Sequence, residues 1–268
     1  MKFLEYIDAH QPLSDDIIRD LCWLGCEICK CGKFDFLQTE LSQDVLSQLD
    51  NGLKKLQNNM PLAYLVGHAP FFGLEFSVSP SVLIPRMETE QLVEKIIEDN
   101  KNKNGLNILD LCTGSGCIAI TLKKHLDCNT TAVDKSDEAL KIAQQNAKQH
   151  NVDINFLKSD MFQNVKDKFD IVVSNPPYIA TKEISSLPKS VKDFEPTLAL
   201  DGGDDGLLFY KQIAENAPNV MTKNGVLYLE IGFDQGQTVP NILSKNFEQI
   251  QVFKDYDQHC RMVKCIRR

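Results

Sequence analysis

From residue 107 onward, short apolar runs alternate with amphipathic helical stretches, and no other feature constrains the fold as tightly. The run 108–111 enters a glycine-rich turn, and 116–125 reads as a helix. A strand over 130–133 ends at Asp134. Ser136 then caps a helix reaching about His150, with Asp137 and Glu138 in the first turn, where carboxylates suit the positive end of the helix dipole. Further strands are predicted over 154–157, 169–174 and 226–231, and an antiparallel hairpin over 251–254 and 262–266. Strands joined through helices build a parallel sheet covered on both faces, so the predicted class is α/β.

The chain before residue 60 reads differently, as helices only. Ser14 can cap a helix running to about Lys30. A second amphipathic segment covers 41–57, with Val45, Leu46, Leu49, Leu53 and Leu56 near helical spacing. Between the two halves, Phe71, Phe72, Phe76 and Val78 surround Gly73, and Pro80 and Pro85 follow, the pattern of a hairpin linker. A helix over 88–98 comes next. The expected division is a helical domain over 1–68, a linker over 69–84 and an α/β domain over 85–268, in keeping with about two domains for 268 residues. A separate helical module ahead of a complete α/β domain reads either as plain packing or as a docking surface for a macromolecular partner.

Composition removes several classes of function. No run approaches the roughly 18–20 apolar residues that cross a bilayer. The first ten residues carry Glu5 and Asp8 and lack the apolar core of an export signal. Nine cysteines, an odd number, then fit free thiols in a reducing cytoplasm. Cys22, Cys26 and Cys29 flank the helical stripe Ile17, Leu21, Leu24 and Ile28, while Cys31 falls away from them. One helix cannot wrap four thiolates around an ion, so no metal site is expected there. A net charge of −8 and a pI near 5.2 argue against nucleic acid as the main partner.

The chemistry-bearing residues lie at strand ends. Asp110-Leu111-Cys112-Thr113-Gly114-Ser115-Gly116 follows a strand and opens a helix, and its glycines let backbone approach a ligand. Asp134 ends the next strand, where a carboxylate can accept both hydroxyls of a ribose. A nucleoside-containing ligand is expected. Gly114, Gly116 and Ala119 also satisfy the dinucleotide pattern, so NAD and S-adenosylmethionine both remain open on these residues alone.

Asn175-Pro176-Pro177-Tyr178 closes the strand 169–174 and decides between them. Two prolines cannot extend a buried strand, because they lack the N–H donor. They make a stiff stop instead. The Asn175 side-chain oxygen and the Pro176 carbonyl can each accept a hydrogen bond, and together they can grip a planar –NH2 group by its two hydrogens. Tyr178 can lie against the flat face of that group. NAD chemistry has no use for such a turn.

This motif resembles that of the class I S-adenosylmethionine-dependent methyltransferases that act on planar amino groups. Pro61-Leu62-Ala63-Tyr64-Leu65-Val66-Gly67, Phe71-Phe72-Gly73 and Leu83-Ile84-Pro85-Arg86 narrow the likeness. So do Phe194-Glu195-Pro196, Leu200-Asp201-Gly202-Gly203, Asp205-Gly206-Leu207 and Glu230-Ile231-Gly232. Together they are similar to the release factor glutamine methyltransferase family from about residue 60 to the C-terminus. The chain departs from the family's usual glycine at Cys112, its frequent aromatic at Met161 and its frequent proline at Met87.

The resemblance implies a Rossmann-like class I methyltransferase domain behind a small helical domain and a β-hairpin linker. It implies S-adenosyl-L-methionine as methyl donor, with S-adenosyl-L-homocysteine as product. Cys112, Thr113, Gly114, Ser115, Gly116, Asp134, Met161 and Asn175 would contact that cofactor. Asn175 would be catalytic, and Asn175, Pro176, Pro177, Tyr178 and Phe71 would meet the substrate. The implied partner is a class I peptide-chain release factor, methylated on the glutamine of its Gly-Gly-Gln motif, and the enzyme is expected to be a monomer. Alternatives are a glutamine methyltransferase for a ribosomal protein and a DNA adenine N6-methyltransferase; a nicotinamide-dependent oxidoreductase and a non-catalytic nucleoside-binding scaffold fit less well.

Overall fold

Helices α1 (Phe3–Ala9), α2 (Asp15–Cys29), α3 (Lys33–Gln38), α4 (Gln43–Gln57) and α5 (Leu62–Val66) open the chain. The computed structural model describes all 268 residues and groups Met1–His68 with Pro188–Phe194 in one unit. Serine caps start the two long helices: the Ser14 hydroxyl accepts from the Ile17 N–H at 3.4 Å, and Ser42 accepts from Val45 at 3.3 Å. Their apolar stripes meet around Phe3, Leu21, Phe36, Leu49, Leu53 and Leu56. Cys22 is buried in this core, and Cys26, Cys29 and Cys31 pack half-buried against it. Burial, with neighbouring thiols adding to it, pushes Cys26 up to about 11, so it stays a neutral thiol.

Ala69–Leu187 and Glu195–Arg268 form the other unit. Its elements run β1 (His68–Phe71), β2 (Leu74–Ser77), α6 (Met87–Asn100), β3 (Leu106–Leu111), α7 (Cys117–His125), β4 (Cys128–Asp134), α8 (Asp137–Gln149), β5 (Asn155–Lys158) and β6 (Phe169–Ser174). After the short α9 (Lys189–Lys192), which belongs with the helical unit, come α10 (Leu208–Val220), β7 (Met221–Glu230), α11 (Thr238–Leu243), β8 (Phe247–Lys254) and β9 (Cys260–Arg267). One seven-stranded sheet has the order β5-β4-β3-β6-β7-β9-β8. Its pairs are parallel from β5 to β7, and β9 runs antiparallel to both of its neighbours. This is the seven-strand sheet of a class I methyltransferase. No helix is long and apolar enough to cross a membrane.

The register sets the functional edge. Leu111 pairs with Val133 on one side and with Ser174 on the other, and Ser174 pairs with Leu229. The next residue of each strand or its following loop is therefore Cys112, Asp134, Asn175 or Glu230, in one line across four strands. The chain steps from β3 to β4 in one direction and later to β6 in the other, the switch point at which open α/β sheets bind ligands.

The segment 69–84 joins the α/β unit rather than standing apart. Phe71 and Phe76 are fully buried, with ring centroids 5.9 Å apart at 83°. Phe71 therefore sits in the hydrophobic core and not on the wall of the cleft described below. The hairpin β1–β2 also leans on α8: the Asn146 amide donates to the Ser77 carbonyl at 3.0 Å and accepts from the Ser77 N–H at 2.8 Å.

Candidate functional site

Beyond β3, Cys112 takes a left-handed backbone (φ 61°), and beyond β5, Met161 does the same (φ 50°). Both strained residues line one cleft, and their sulfurs lie 3.8 Å apart. The loop from Cys112 to α7 ends at Gly116, whose φ of 81° suits a residue without Cβ and where an added Cβ would meet Ala143 at 3.1 Å. The cleft holds roughly 1000 Å³ of empty space, part of it open to solvent.

Two carboxylates organise the loop. Asp110 is fully buried; its Oδ2 accepts from the Thr113 hydroxyl at 2.6 Å and the Ala119 N–H at 3.2 Å. Its Oδ1 has no partner, and neither has the buried hydroxyl of Ser115, which lines the cleft. Burial pushes Asp110 up to about 7. Asp134 accepts from the Gly114 N–H and the Ser136 N–H, each at 2.9 Å. Burial raises this carboxyl, and those backbone donors act against the rise. Each Asp134 oxygen keeps a further lone pair for a ligand.

On the other side of β3, the Ser174 hydroxyl donates to the Leu111 carbonyl at 2.7 Å, tying β6 to β3 just before the turn. The Asn175 Nδ2 donates to the Thr89 hydroxyl at 3.1 Å. Thr89 in turn donates to Glu230 Oε2 at 2.6 Å. The Asn175 Oδ1 receives no hydrogen bond from the protein, and Asn175 lines the cleft.

The turn is also held from behind. Ile179 donates to the Leu200 carbonyl at 3.0 Å, and Gly202 donates to the Ile179 carbonyl at 2.8 Å. A Cβ on Gly206 (φ 71°) would stand 2.5 Å from the Tyr178 carbonyl oxygen, so this close approach requires glycine. The Gln235 amide donates to the Tyr178 and Gly206 carbonyls at 3.1 and 3.2 Å and accepts from the Gly232 N–H at 2.9 Å. A third brace joins two loops at the cleft. Buried Glu195 pairs with Arg86 and accepts from the Ile84 N–H, beside Leu83, Pro85 and Pro196 of the cleft wall.

Of the residues singled out from sequence, Cys112, Thr113, Gly114, Ser115, Asp134, Met161, Asn175 and Pro177 line the cleft together. Gly116 caps α7, Pro176 is buried within the turn, and Tyr178 is half-buried next to it. Phe71 lies in the hydrophobic core. Sequence reasoning assigned no role to Thr89, Glu195, Glu230 or Gln235. Thr89 follows the Leu83–Arg86 motif, and Glu195 and Glu230 sit inside quoted motifs; Gln235 carries no local signal at all.

Residues 87–191 match the Methyltransferase small domain family. A solved methyltransferase from Pyrococcus furiosus shares the fold, with a TM-score of 0.56 at 18% identity over 81% of this chain and 98% of that one. The chain is 42% identical over 231 residues to the release factor glutamine methyltransferase of Streptococcus pneumoniae, spanning 85% of this chain and 82% of that protein. It is 39% identical over 266 residues to the Lactococcus lactis enzyme, spanning 96% and 98%. Identity of that degree over nearly the full length, joined to a strand-end line of Cys112, Asp134 and Asn175, makes this chain a member of the release factor glutamine methyltransferase family.

Proposed function

We propose that this protein transfers a methyl group from S-adenosyl-L-methionine to the side-chain amide nitrogen of the glutamine in the Gly-Gly-Gln motif of class I peptide-chain release factors. The products are N5-methylglutamine and S-adenosyl-L-homocysteine. It works in the cytoplasm, as a monomer, and Met1–His68 supplies docking energy for the release factor. The observation that carries this reading is the shared register that brings Asp134 and Asn175 to one edge on opposite sides of β3.

The residues present fit the cofactor. Asp134 offers carboxylate oxygens for a ribose, while Cys112 and Met161 offer a polarizable apolar wall. The orphaned hydroxyl of Ser115, which lines the cleft, is a polar group with capacity to spare. When bound, S-adenosylmethionine supplies an electrophilic methyl group.

The protein must then make a poor nucleophile react. An amide nitrogen has its lone pair delocalised, and the rotational barrier of ~18–20 kcal/mol measures that resonance. Asn175 Oδ1 and the Pro176 carbonyl accept the two amide hydrogens and fix the nitrogen's direction. Their dipoles also suit the rising acidity of those N–H bonds during transfer. Orientation of this kind supplies up to about 7–11 kcal/mol of barrier lowering. The surplus proton leaves to water.

Mass spectrometry of the tryptic Gly-Gly-Gln peptide, after incubating purified release factor with enzyme and cofactor, tests the reading. One methyl group on the glutamine is expected. An unmodified glutamine, or transfer instead to a ribosomal protein or to adenine in DNA, contradicts it.

A further inference from the structure

The proposed transfer uses one arm of the Asn175 amide, so the side chain must be held with that arm toward the substrate. An asparagine amide has an accepting oxygen and a donating nitrogen of nearly the same shape, and only the oxygen can hold an amide hydrogen of the substrate. Asn175 turned by 180° would present its –NH2 to another –NH2. Nothing within the turn 175–178 prevents that, because prolines stiffen backbone and not a neighbouring side chain.

The selection comes from Thr89, which lines the same cleft beside Asn175. Thr89 is buried on α6, and its hydroxyl owns a single hydrogen. That hydrogen goes to Glu230 Oε2 at 2.6 Å, the range of a charge-assisted O–H···O bond. With its hydrogen committed, the Thr89 oxygen can only accept from Asn175. The observed contact is the matching one, Nδ2 to the Thr89 oxygen at 3.1 Å. Donor direction thus runs Asn175 to Thr89 to Glu230. We infer that Glu230 and Thr89 are positioning residues that lock the Asn175 amide with its oxygen toward the reacting group, Glu230 acting through Thr89 and Thr89 through direct contact. This inference rests on the reading that Asn175 grips the glutamine amide.

The alignment is built into the sheet. Glu230 ends β7 in the same line as Asn175, and Thr89 comes from α6, 141 residues away in sequence from Glu230. Glu230 itself is fixed through its backbone carbonyl, which accepts from the buried Tyr210 hydroxyl at 2.9 Å. The charged and titratable groups facing Glu230 are Arg86 and Glu88 near the start of α6, Arg261 on β9, Tyr178 after β6, Tyr210 on α10 and Cys117 on α7. Burial holds the Glu230 carboxyl up at about 7; the Thr89 hydrogen bond and Arg261 pull it back. Once protonated, Glu230 can donate to Thr89, which frees the Thr89 hydrogen to reach Asn175 Oδ1. The Asn175 amide then loses its preferred orientation.

The test is single-turnover methyl transfer to intact release factor at saturating S-adenosylmethionine, with the cofactor dissociation constant measured separately. Thr89→Val keeps the shape and removes the hydroxyl; the expected result is a rate about 10–100-fold below wild type with cofactor affinity little changed. Thr89→Ser restores the hydroxyl and most of the rate. Glu230→Gln retains an acceptor for Thr89 but no titration, so the fall of the wild-type rate below about pH 7 is lost in that variant. A Thr89→Val enzyme at the wild-type rate overturns the inference. So does a Thr89→Ser enzyme as slow as Thr89→Val, a loss seen only in cofactor affinity, or an acid limb that persists unchanged in Glu230→Gln. Asn175→Ala in the same series separates the two readings. If it is slow while Thr89→Val is not, the positioning role alone fails; if it runs at the wild-type rate, the grip fails and the positioning role with it.

Discussion

The helical unit and the α/β unit bury different chemistry. Within Met1–His68 the buried side chains are all hydrophobic. Every buried polar or charged side chain, from Thr89 to Asp255, lies in the α/β unit. A buried polar group is costly unless hydrogen-bonded, so such groups persist where a structure needs direction and not merely volume. Asp110, Thr113, Ser115, Ser174, Glu195 and Glu230 are among them, at or beside the edge where β3, β4, β6 and β7 end. A greasy core specifies that a unit folds, and a partnered polar core specifies how individual atoms point.

The contrast can be broken in the helical unit first. Leu49 is fully buried on α4, and Leu49→Ala should cost about 2–5 kcal/mol through lost burial and a residual cavity. Cofactor affinity at a temperature below unfolding should not move, because the cleft is lined entirely from the α/β unit. Denaturant titration with parallel calorimetry checks both halves of that statement.

In the α/β unit, Asp134→Ala should weaken S-adenosylmethionine binding by about 1.5–3 kcal/mol, or roughly 10- to 150-fold. The variant also strips an acceptor from the Gly114 and Ser136 N–H groups, so its melting temperature belongs beside the titration. Unchanged affinity in a folded variant would remove Asp134 from the cofactor site.

The polar core also predicts a pH dependence. Asp110 titrates near 7 when folded against 3.8 as a free carboxyl, so the folded chain keeps a proton that the unfolded chain releases. That contribution is fully present below about pH 4 and is lost as pH rises toward 7. Asp110→Asn keeps an acceptor for Thr113 and Ala119 and removes the titration, so its melting temperature should fall less than that of wild type between about pH 5 and 8. Equal falls in the two proteins would count against a buried Asp110 that titrates near neutrality.

The smallest effect is expected at Cys112. Glycine would relieve a left-handed strain of about 1–2 kcal/mol. It would also add about 0.5–1 kcal/mol of unfolded-chain entropy and give up the contact with Met161. Cys112→Gly should therefore alter stability by less than about 1 kcal/mol in chemical denaturation, and a larger change in either direction would show that the sulfur contact or the strain has been misjudged.

Much of the α/β unit was legible because its signals are local. Strand β6 is an unbroken apolar run stopped by two prolines, and it falls on Phe169–Ser174 as predicted. Strand β7 begins at Met221, five residues before the predicted start, since Thr222, Lys223 and Asn224 hide a strand end that pairs with Phe169. Helix α10 was not foreseen, and its Pro218 reads as a helix breaker although it sits within the last turn. The burial of Phe71 is hidden for a different reason. Alternate strand residues face opposite ways, and the sequence does not say which face of a short hairpin meets the core. Cys112, Asp134 and Asn175 were visible because each follows or ends its own strand. Thr89, Glu230 and Gln235 were not, because their roles exist only through partners brought together by the fold.

In the proposed reaction, the turn after β6 accepts the hydrogens of a glutamine amide through Asn175 and Pro176. Single-turnover methylation of release factor by Asn175→Ala, at saturating S-adenosylmethionine, tests it most directly. The expected rate is lower by on the order of 100-fold or more, with only a small rise in the cofactor dissociation constant. Methyl transfer by Asn175→Ala at the wild-type rate would contradict it.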